Sequence, residues 1–365
     1  MVVWDPPIRD YQFLYHELLP AIETVQRLGY TDFDADFLDS LIEGWATHSE
    51  EVWLPINQLG DSEGLKFEDG KITMPQEFKD AYRQGIDEGW LSTTCDPEHG
   101  GMGVPLFFQA VTWAEFGTSA CMALSVLPAL SIGVYEVLVK HGRQDLIDHF
   151  ATNLASGIWS GTMCLTEPHS GTDLGIIETK AIPQEDGSYQ ISGSKCFITY
   201  GEHDMAENIV HLVLAKAPGG GEGTRGISLF LVPKFLPDDW KTGGLDGISH
   251  NLSSEHNGVI CSGTEEKMGL HASPTCVMSF EQSTGWLVGP LHGGMPLMFE
   301  MMNRERLATG LMGVGLAHAA YVNSLAWARE RRQGRSLKGI QEPHAAADNI
   351  PVSYTHLTLP TSDLV

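Results

Sequence analysis

Basic residues are scarce in this sequence. Its 365 residues include 22 Lys and Arg against 47 Asp and Glu, which gives a formal net charge of −25 at pH 7. Nucleic acids and anionic membrane surfaces bind basic patches, so this charge argues against both as partners. A small anionic ligand stays compatible with the sequence, because it needs only a locally basic groove.

Paired cysteines are also lacking. The six cysteines contain no C-x-x-C pair, so their spacing argues against a zinc site and against a disulfide framework. No basic-then-apolar leader opens the sequence, which predicts no signal peptide. We therefore expect reduced thiols and a cytoplasmic location. The cysteines are Cys95, Cys121, Cys164, Cys196, Cys261 and Cys276.

One uncharged stretch, from Gly117 to Tyr135, approaches the length of a membrane span. It contains Pro128 and lies close to Glu115 and Glu136. These features favour a pair of buried helices in a helical core, so no membrane span is predicted.

The spacing of apolar residues divides the chain into three regions. Helical spacing of apolar residues runs to about residue 155, short apolar runs separated by Gly, Asp and Pro follow, and a helical pattern returns from about 293 to 333. We expect an α+β multidomain protein with an N-terminal extension (1–35), an all-α domain (36–159), a central β sandwich or barrel (160–288) and the start of a helical bundle (289–350). Residues 351–365 fit neither pattern and are interpreted as a non-native tail.

Several local features refine this division. The glycine-rich turn at 97–103 lacks the preceding strand of a dinucleotide fingerprint, so a turn linking two helices is expected. The segment from Pro237 to Cys261 is predicted to be an exposed excursion. Three glycines in the last helical pattern are expected to permit close helix packing: Gly310, Gly313 and Gly315.

The most informative stretch runs from Gly161 to Thr199. It contains GTMCLTEPHSGTDL, in which a short apolar run gives way to a loop of hydroxyl residues and glycine that suits contact with a polar planar group or a phosphate. The later segment SKCFIT alternates like a strand and would place Phe197 and Thr199 on one side. On the residues alone, a hairpin loop with a buried Phe competes with a flat wall for a flavin ring.

The pattern C-L-T-E-P-x-x-G-T-D followed by G-S-K-x-F-I-T resembles the flavin-binding signature of the acyl-CoA dehydrogenases. The resemblance runs from about residue 30 to about residue 345, in the order expected. Within the family, the sequences of these segments are most similar to the long-chain branch that includes 3-methylmercaptopropionyl-CoA dehydrogenase. Further matching segments are GISLFLVPKF (226–235), EEKMGLHASPT (265–275), MMNRERLATGLMGVGLA (301–317) and ARERRQGR (328–335).

The resemblance implies the fold of that family, FAD as cofactor, and α,β-dehydrogenation of an acyl-CoA. In such a reaction a carboxylate removes the α-proton while the β-hydrogen leaves as hydride to the flavin, and the thioester carbonyl must be polarised by hydrogen bonds. It also implies electron transfer to an electron-transferring flavoprotein and a homodimer or homotetramer. Two alternatives stay open, namely an acyl-CoA oxidase and a flavin-binding relative of the alkylation-response type without dehydrogenase activity.

Residue by residue, the resemblance places three side chains on the strand along the flavin ring and two on the facing strand. Thr166 is the expected donor to the ring edge, and Phe197 stands where many members carry Trp. The complete set comprises Met163, Leu165, Thr166, Phe197 and Thr199.

Other matches concern phosphates and substrate. Gly171 and Thr172 match the loop that contacts the pyrophosphate and the CoA pantetheine, so Thr172 is also a substrate contact. Arg331, with Gln333 in the same segment, matches the arginine that reaches the FAD pyrophosphate of a neighbouring subunit. Arg306 matches an arginine near the catalytic carboxylate and the substrate. Without the resemblance, Arg331 would belong to a solvated basic face and Arg306 would pair with Glu300 or Glu305.

The catalytic glutamate of this branch lies downstream of the ARERRQGR segment, and no Asp or Glu in the chain matches it. We therefore expect a C-terminally truncated and inactive enzyme. Histidines such as His169, His203, His271 and His292 are not at metal-binding spacing, so no metal is expected.

Overall fold

A computed structural model describes residues 4–237, 252–335 and 349–351. The central part of the predicted excursion and the predicted tail from 352 onward lie outside the described residues. The N-terminal part is helical, with π-helical turns at Phe13–Leu18 and Ser49–Trp53 and a short hairpin before α5. Its elements are α1 (Ile8–Gln12), α2 (Ala21–Arg27), α3 (Ala35–His48), α4 (Leu54–Glu63), β1 (Lys66–Glu68), β2 (Lys71–Thr73), α5 (Gln76–Asp87), α6 (Leu106–His141) and α7 (Gln144–Ser156).

Local sequence explains how these helices begin. The Asp34 side chain caps α3 by accepting the N–H of Phe37 at 2.8 Å. Leu38, Ile42 and Trp45 then fall on the buried face at the spacing that the sequence predicted. The chain between α5 and α6 forms a 3₁₀ turn at Pro97–His99, as expected for a link between two helices.

The uncharged stretch lies in α6. The backbone is non-helical at Cys121 (φ −154°, ψ 88°), so α6 consists of two helical segments joined at a kink, in agreement with the predicted pair of helices. Within the described residues, the segment Ala114–His141 is long and apolar enough to cross a membrane, and 78% of its most apolar window is buried inside the protein. That degree of burial is what the core helix of a folded domain shows.

The central part is a sheet. In the described residues seven strands hydrogen-bond in the order β10-β11-β5-β4-β6-β3, and β7 pairs with both β11 and β6, which folds the sheet toward a barrel. β3 runs parallel to β6, and β5 runs antiparallel to β11. The strands are β3 (Trp159–Cys164), β4 (Lys180–Pro183), β5 (Tyr189–Thr199), β6 (Asn208–Lys216), β7 (Ile227–Pro233), β8 (Phe235–Pro237), β9 (Leu252–His256), β10 (Val259–Thr264) and β11 (Thr275–Val288). The flanks of the predicted excursion therefore form β8 and β9, which pair with each other.

Helix α8 (Gly294–Glu330) lies antiparallel along α6. A Cβ at Gly133 of α6 would lie 2.9 Å from Met301 of α8, and a Cβ at Gly315 would lie 2.7 Å from the Glu115 carbonyl oxygen. The expectation for Gly310 and Gly313 differs from the structure, since a Cβ there would meet nothing within 4 Å.

The other side of α8 exposes large apolar side chains, including Leu307, Val314, Tyr321 and Trp327. The helix ends at Glu330, three residues before the sequence expectation, and the chain continues as β12 (Arg332–Arg335), which pairs with β13 (Asn349–Pro351).

A buried carboxylate joins three distant segments. Glu115 of α6 accepts the hydroxyl of Tyr11 from α1 and lies 3.5 Å from Nδ1 of His318 on α8. Next to it, Ser119 Oγ donates to the Gly315 carbonyl at 2.9 Å. The N-terminal extension is thereby bonded to the region in which α8 contacts α6 through Gly315 and His318.

Candidate cofactor site

The site begins where β3 ends. After Cys164 the chain turns beside β5, and the carbonyl of Thr166 accepts the N–H of Cys196 at 2.9 Å. Two backbone hydrogen bonds between Glu167 and Ser170, of 2.7 and 2.9 Å, close a tight loop. The structure therefore brings the two sequence motifs into direct contact through their backbones.

Phe197 projects from this junction. Its φ of 60° lies in the left-handed region, and the β5–β11 register shifts at this point. Lys195 and Cys196 are consequently both buried although they are adjacent, while the Phe197 side chain is 60% exposed. The interpretation of a hairpin with a buried Phe is therefore wrong, because the bulge turns the ring outward.

The two motifs that meet at this junction carry several donors without a partner among the described residues. The hydroxyls of Thr166, Thr172 and Thr199, and the N–H of Thr166, make no hydrogen bond to another described residue. A Cβ on Gly171 would lie 3.2 Å from Cγ2 of Thr166, so the loop glycine approaches the same threonine. An exposed aromatic face beside free donors fits a flat heteroaromatic cofactor with a polar edge.

The remaining residues of the predicted ring wall are less open. Met163 is half-buried in β3, and Leu165 is buried just beyond it. Thr199 ends β5 opposite Thr275 of β11.

A buried ion pair fixes the loop. Lys195 Nζ donates to the Leu165 carbonyl at 2.9 Å and to Oε1 of Glu167 at 2.9 Å. The Glu167 carboxylate also accepts the N–H of Glu178 at 2.7 Å and the hydroxyl of Thr179 at 2.6 Å. Burial lowers the pKa of the Lys195 ammonium, while these donors outweigh burial and lower the pKa of Glu167. Glu167 stands in the TEPHSGT loop, and the sequence analysis gave no role to Lys195, although a lysine beside Cys196 in a strand that has to pack was a visible signal.

Two further histidines lie beneath β3. His203 accepts the N–H of Met205 at Nδ1, so its Nε2 donates to Ser160 Oγ at 2.9 Å. Burial lowers the pKa of His203 and of His211 to about 3, so both are neutral. Because Nε2 of His203 carries a proton, it cannot accept one from Ser160, and this pair is structural.

The structure does not bring the two predicted arginines to this junction. Arg306 donates to Asn303 at 3.0 Å and lies over the Phe299 ring at 5.3 Å. Its alternative pairing with Glu300 is wrong, since that carboxylate accepts Lys140 at 2.7 Å. Arg331 follows the end of α8, exposed, with its guanidinium 6.0 Å from the Trp327 ring centroid. Gln333 lies in β12, and its side chain lies outside the described part.

Glu305 was considered from sequence only as a partner for Arg306. It is half-buried on α8, and its Oε1 is buried without a hydrogen-bond partner in the described structure. Burial raises its pKa, against the opposing effect of Arg304. α8 therefore carries a carboxyl group whose ionised form is disfavoured by its surroundings.

This burial predicts a pH-dependent effect of Glu305→Gln on stability. Because folding raises the pKa of the carboxyl, the native state is penalised increasingly as pH rises from the unfolded value of about 4.3 to the folded one. The variant should melt at a higher temperature than the parent at pH 8 and at the same temperature at pH 4. Glu330→Gln, at an exposed position of the same helix, is the control and should be neutral at both values. An equal gain at pH 4 and pH 8 would contradict the prediction.

Family profiles match three consecutive regions of the chain: the acyl-CoA dehydrogenase N-terminal domain over 66–158, the middle domain over 162–283 and the C-terminal domain over 292–347. The chain belongs to the acyl-CoA dehydrogenase family, whose members depend on FAD. The predicted family and fold are therefore confirmed.

Among individual relatives, the chain is 39% identical to 3-methylmercaptopropionyl-CoA dehydrogenase of Ruegeria pomeroyi, over 96% of its own length and 57% of the relative's. It is 34% identical to a broad-specificity linear acyl-CoA dehydrogenase of Mycobacterium tuberculosis, over 90% of this chain and 53% of that one. The chain thus spans about half the length of the curated relatives it matches.

Solved structures agree in fold. Butyryl-CoA dehydrogenase of Megasphaera elsdenii superimposes with a TM-score of 0.65 at 18% identity, covering 89% of this chain and 74% of that one. An acyl-CoA dehydrogenase of Bacillus anthracis complexed with FAD gives 0.65 at 22% identity, covering 83% of this chain and 46% of that one.

Proposed function

We propose that this protein binds FAD at the junction of β3 and β5 and belongs to an enzyme that dehydrogenates an acyl-CoA thioester to the 2-enoyl-CoA. The observation that carries the proposal is the exposed Phe197 ring, held outward by a left-handed bulge beside free donors of Thr166 and Thr199. The acyl group would be 3-methylmercaptopropionyl or a fatty acyl chain, in keeping with the relatives' names.

Each part of the junction has a separate task in this proposal. Phe197 gives one face of the flavin an apolar wall that excludes water, and Thr166 and Thr199 orient its polar edge. Gly171 and Thr172 stand in the loop nearest to Thr166, where they would meet the phosphates and the pantetheine. Bound FAD supplies the hydride acceptor.

The arginines and the base extend the proposal beyond the junction. Arg306 would contact the substrate, and Arg331 with Gln333 would reach the FAD of a neighbouring subunit in a homodimer or homotetramer. The base that removes the α-proton is proposed to be a glutamate downstream of these residues. Electrons would leave to an electron-transferring flavoprotein.

The proposal also covers the domain limits of the chain and its location in the cell. The domain limits of 36–159, 160–288 and 289–350 are supported by strands from Trp159 to Val288 followed by α8. A cytoplasmic location is supported by six cysteines that are all free and buried.

Absorption spectroscopy tests the proposal. The chain incubated with FAD and desalted should retain the two visible bands of oxidised flavin, whereas Phe197→Ser should retain less because the wall is lost. Leu307→Ser, which removes an equally exposed apolar side chain from α8, is the control and should bind as the parent does. Colourless protein after reconstitution would overturn the proposed cofactor.

A turnover assay completes this test. With acyl-CoA and an artificial electron acceptor, the FAD-loaded chain should give no rate above background, since no residue in it matches the family's base. If enoyl-CoA forms and Glu305→Gln abolishes it, the base lies on α8 and the downstream assignment is wrong.

A further inference from the structure

The Lys195 ammonium is bonded to the peptide group that faces the candidate flavin site. Its Nζ is fully buried and lies 2.9 Å from the Leu165 carbonyl oxygen. The same peptide group carries the N–H of Thr166, which has no acceptor among the described residues. A charged donor on the carbonyl polarises the peptide and strengthens the N–H on its other side.

The partner carboxylate is held independently of Lys195. Glu167 accepts N–H groups from Glu178 and Thr179 and the Thr179 hydroxyl, at 2.7, 3.1 and 2.6 Å. Gly193 allows this packing, because a Cβ there would lie 2.4 Å from the Thr179 hydroxyl oxygen. Glu167 therefore keeps its place when Lys195 is changed, and the two charges of the pair are separable by mutation.

We propose that Lys195 is a positioning residue for the flavin, which acts through the Leu165–Thr166 peptide to strengthen the Thr166 N–H as a donor and so favours the reduced form of the ring. The inference rests on the proposed function, because it requires the flavin to lie against Thr166. Reduction adds negative charge to the ring, so a stronger donor and a nearby cation stabilise the reduced form more than the oxidised form. Glu167 acts in the opposite sense as the counter-charge.

The two members of the pair therefore have opposite effects on the bound cofactor. Lys195→Met removes the cation and should lower the midpoint potential of bound FAD. Glu167→Gln removes the negative charge and can keep the one oxygen that accepts from Thr179 and Lys195, although it gives up the bond from the Glu178 N–H. This variant should raise the potential above that of the parent. A tenfold change in the preference for reduced over oxidised flavin is about 30 mV for a two-electron couple, and we expect shifts of at least this size.

The measurement is a dye-equilibrated reduction of the FAD-loaded chain and its variants. Opposite shifts support the inference. If both midpoint potentials shift in the same direction, or neither shifts, the ion pair only holds the loop in place. A purely structural defect would disturb FAD binding in the same way in both variants. Lys195→Arg retains the charge and should stay near the parent. If Lys195→Met does not fold, the Glu167→Gln variant still tests the proposal: a raised midpoint potential supports it, and an unchanged midpoint potential overturns it.

A second readout needs no cofactor. In the FAD-free chain, the amide proton of Thr166 should resonate further downfield than it does in Lys195→Met, and it should keep its position in Glu167→Gln. Unchanged resonance in Lys195→Met contradicts the polarisation. If the parent chain takes up no FAD, the proposed function fails while this resonance still tests the role of Lys195, so the two failures are distinguishable.

Discussion

Gly315→Leu should lower the free energy of unfolding by about 3 kcal/mol, the upper range for forcing extra atoms into a packed contact. A Cβ at this position would lie 2.7 Å from the Glu115 carbonyl oxygen and 3.1 Å from Ser119 Oγ. Backbone does not yield as a flexible side chain does, so α8 has to move away from α6. The hydrogen bond from Ser119 to the Gly315 carbonyl would be lost with it. Urea denaturation followed by circular dichroism measures the effect.

The same helix supplies matched controls. Gly310→Ala and Gly313→Ala each add a methyl group to open space, because nothing lies within 4 Å of either Cβ position. Alanine is favoured over glycine inside a helix by about 1 kcal/mol, so both variants should be as stable as the parent or more stable. Equal losses at all three positions would show that the α6–α8 contact does not depend on Gly315.

Arg331→Ala should weaken FAD retention by about one to two decades in a protein extended to the full length of its relatives. The expected contact is a charge-assisted bond between the guanidinium and the pyrophosphate across a subunit boundary, worth roughly 1.5–3 kcal/mol, and 1.4 kcal/mol is tenfold in affinity. Arg331 is exposed at the end of α8, as a group that meets a neighbouring subunit must be. Titration by flavin fluorescence gives the affinity.

Two variants separate this role from general surface charge. Arg331→Lys should recover only part of the affinity, because an ammonium cannot present a planar fork of donors. Arg329→Ala, at an exposed position two residues earlier, should bind FAD as the parent does. Identical affinities for all three variants would mean that the arginine cluster is a solvated basic face.

The candidate site shows what sequence reasoning can reach. The motif residues identified the two strands that meet, because hydroxyl and glycine types in a loop already indicate a polar ligand. Strand alternation alone did not reveal that Phe197 has a left-handed backbone, since that bulge depends on pairing with β11, about eighty residues further along the chain. The outward ring, on which the proposed function depends, is therefore a tertiary property.

Ion pairs were the least predictable part. Lys195 and Glu167 lie 28 residues apart, and neither belongs to a helical spacing that would suggest a partner. The alternative to the predicted substrate contact paired Arg306 with Glu300 or Glu305 because they are close in sequence, yet Glu300 accepts a hydrogen bond from Lys140 of α6. The ion-pair partner of a charged side chain on a helix depends on which other elements pack against that helix. Local sequence does not encode this packing.

The buried Glu115 carboxyl group links the N-terminal extension to helix α8. Tyr11 and His318 stand about three hundred positions apart in sequence, and both contact one buried carboxylate. Removing the first twenty residues would take away the phenol and leave the buried Glu115 carboxyl group without this hydrogen-bond donor, which is costly. We therefore expect that shortening the N-terminus speeds the hydrogen exchange of the backbone amides of α8 first. The amides of the distant sheet should keep their protection against exchange.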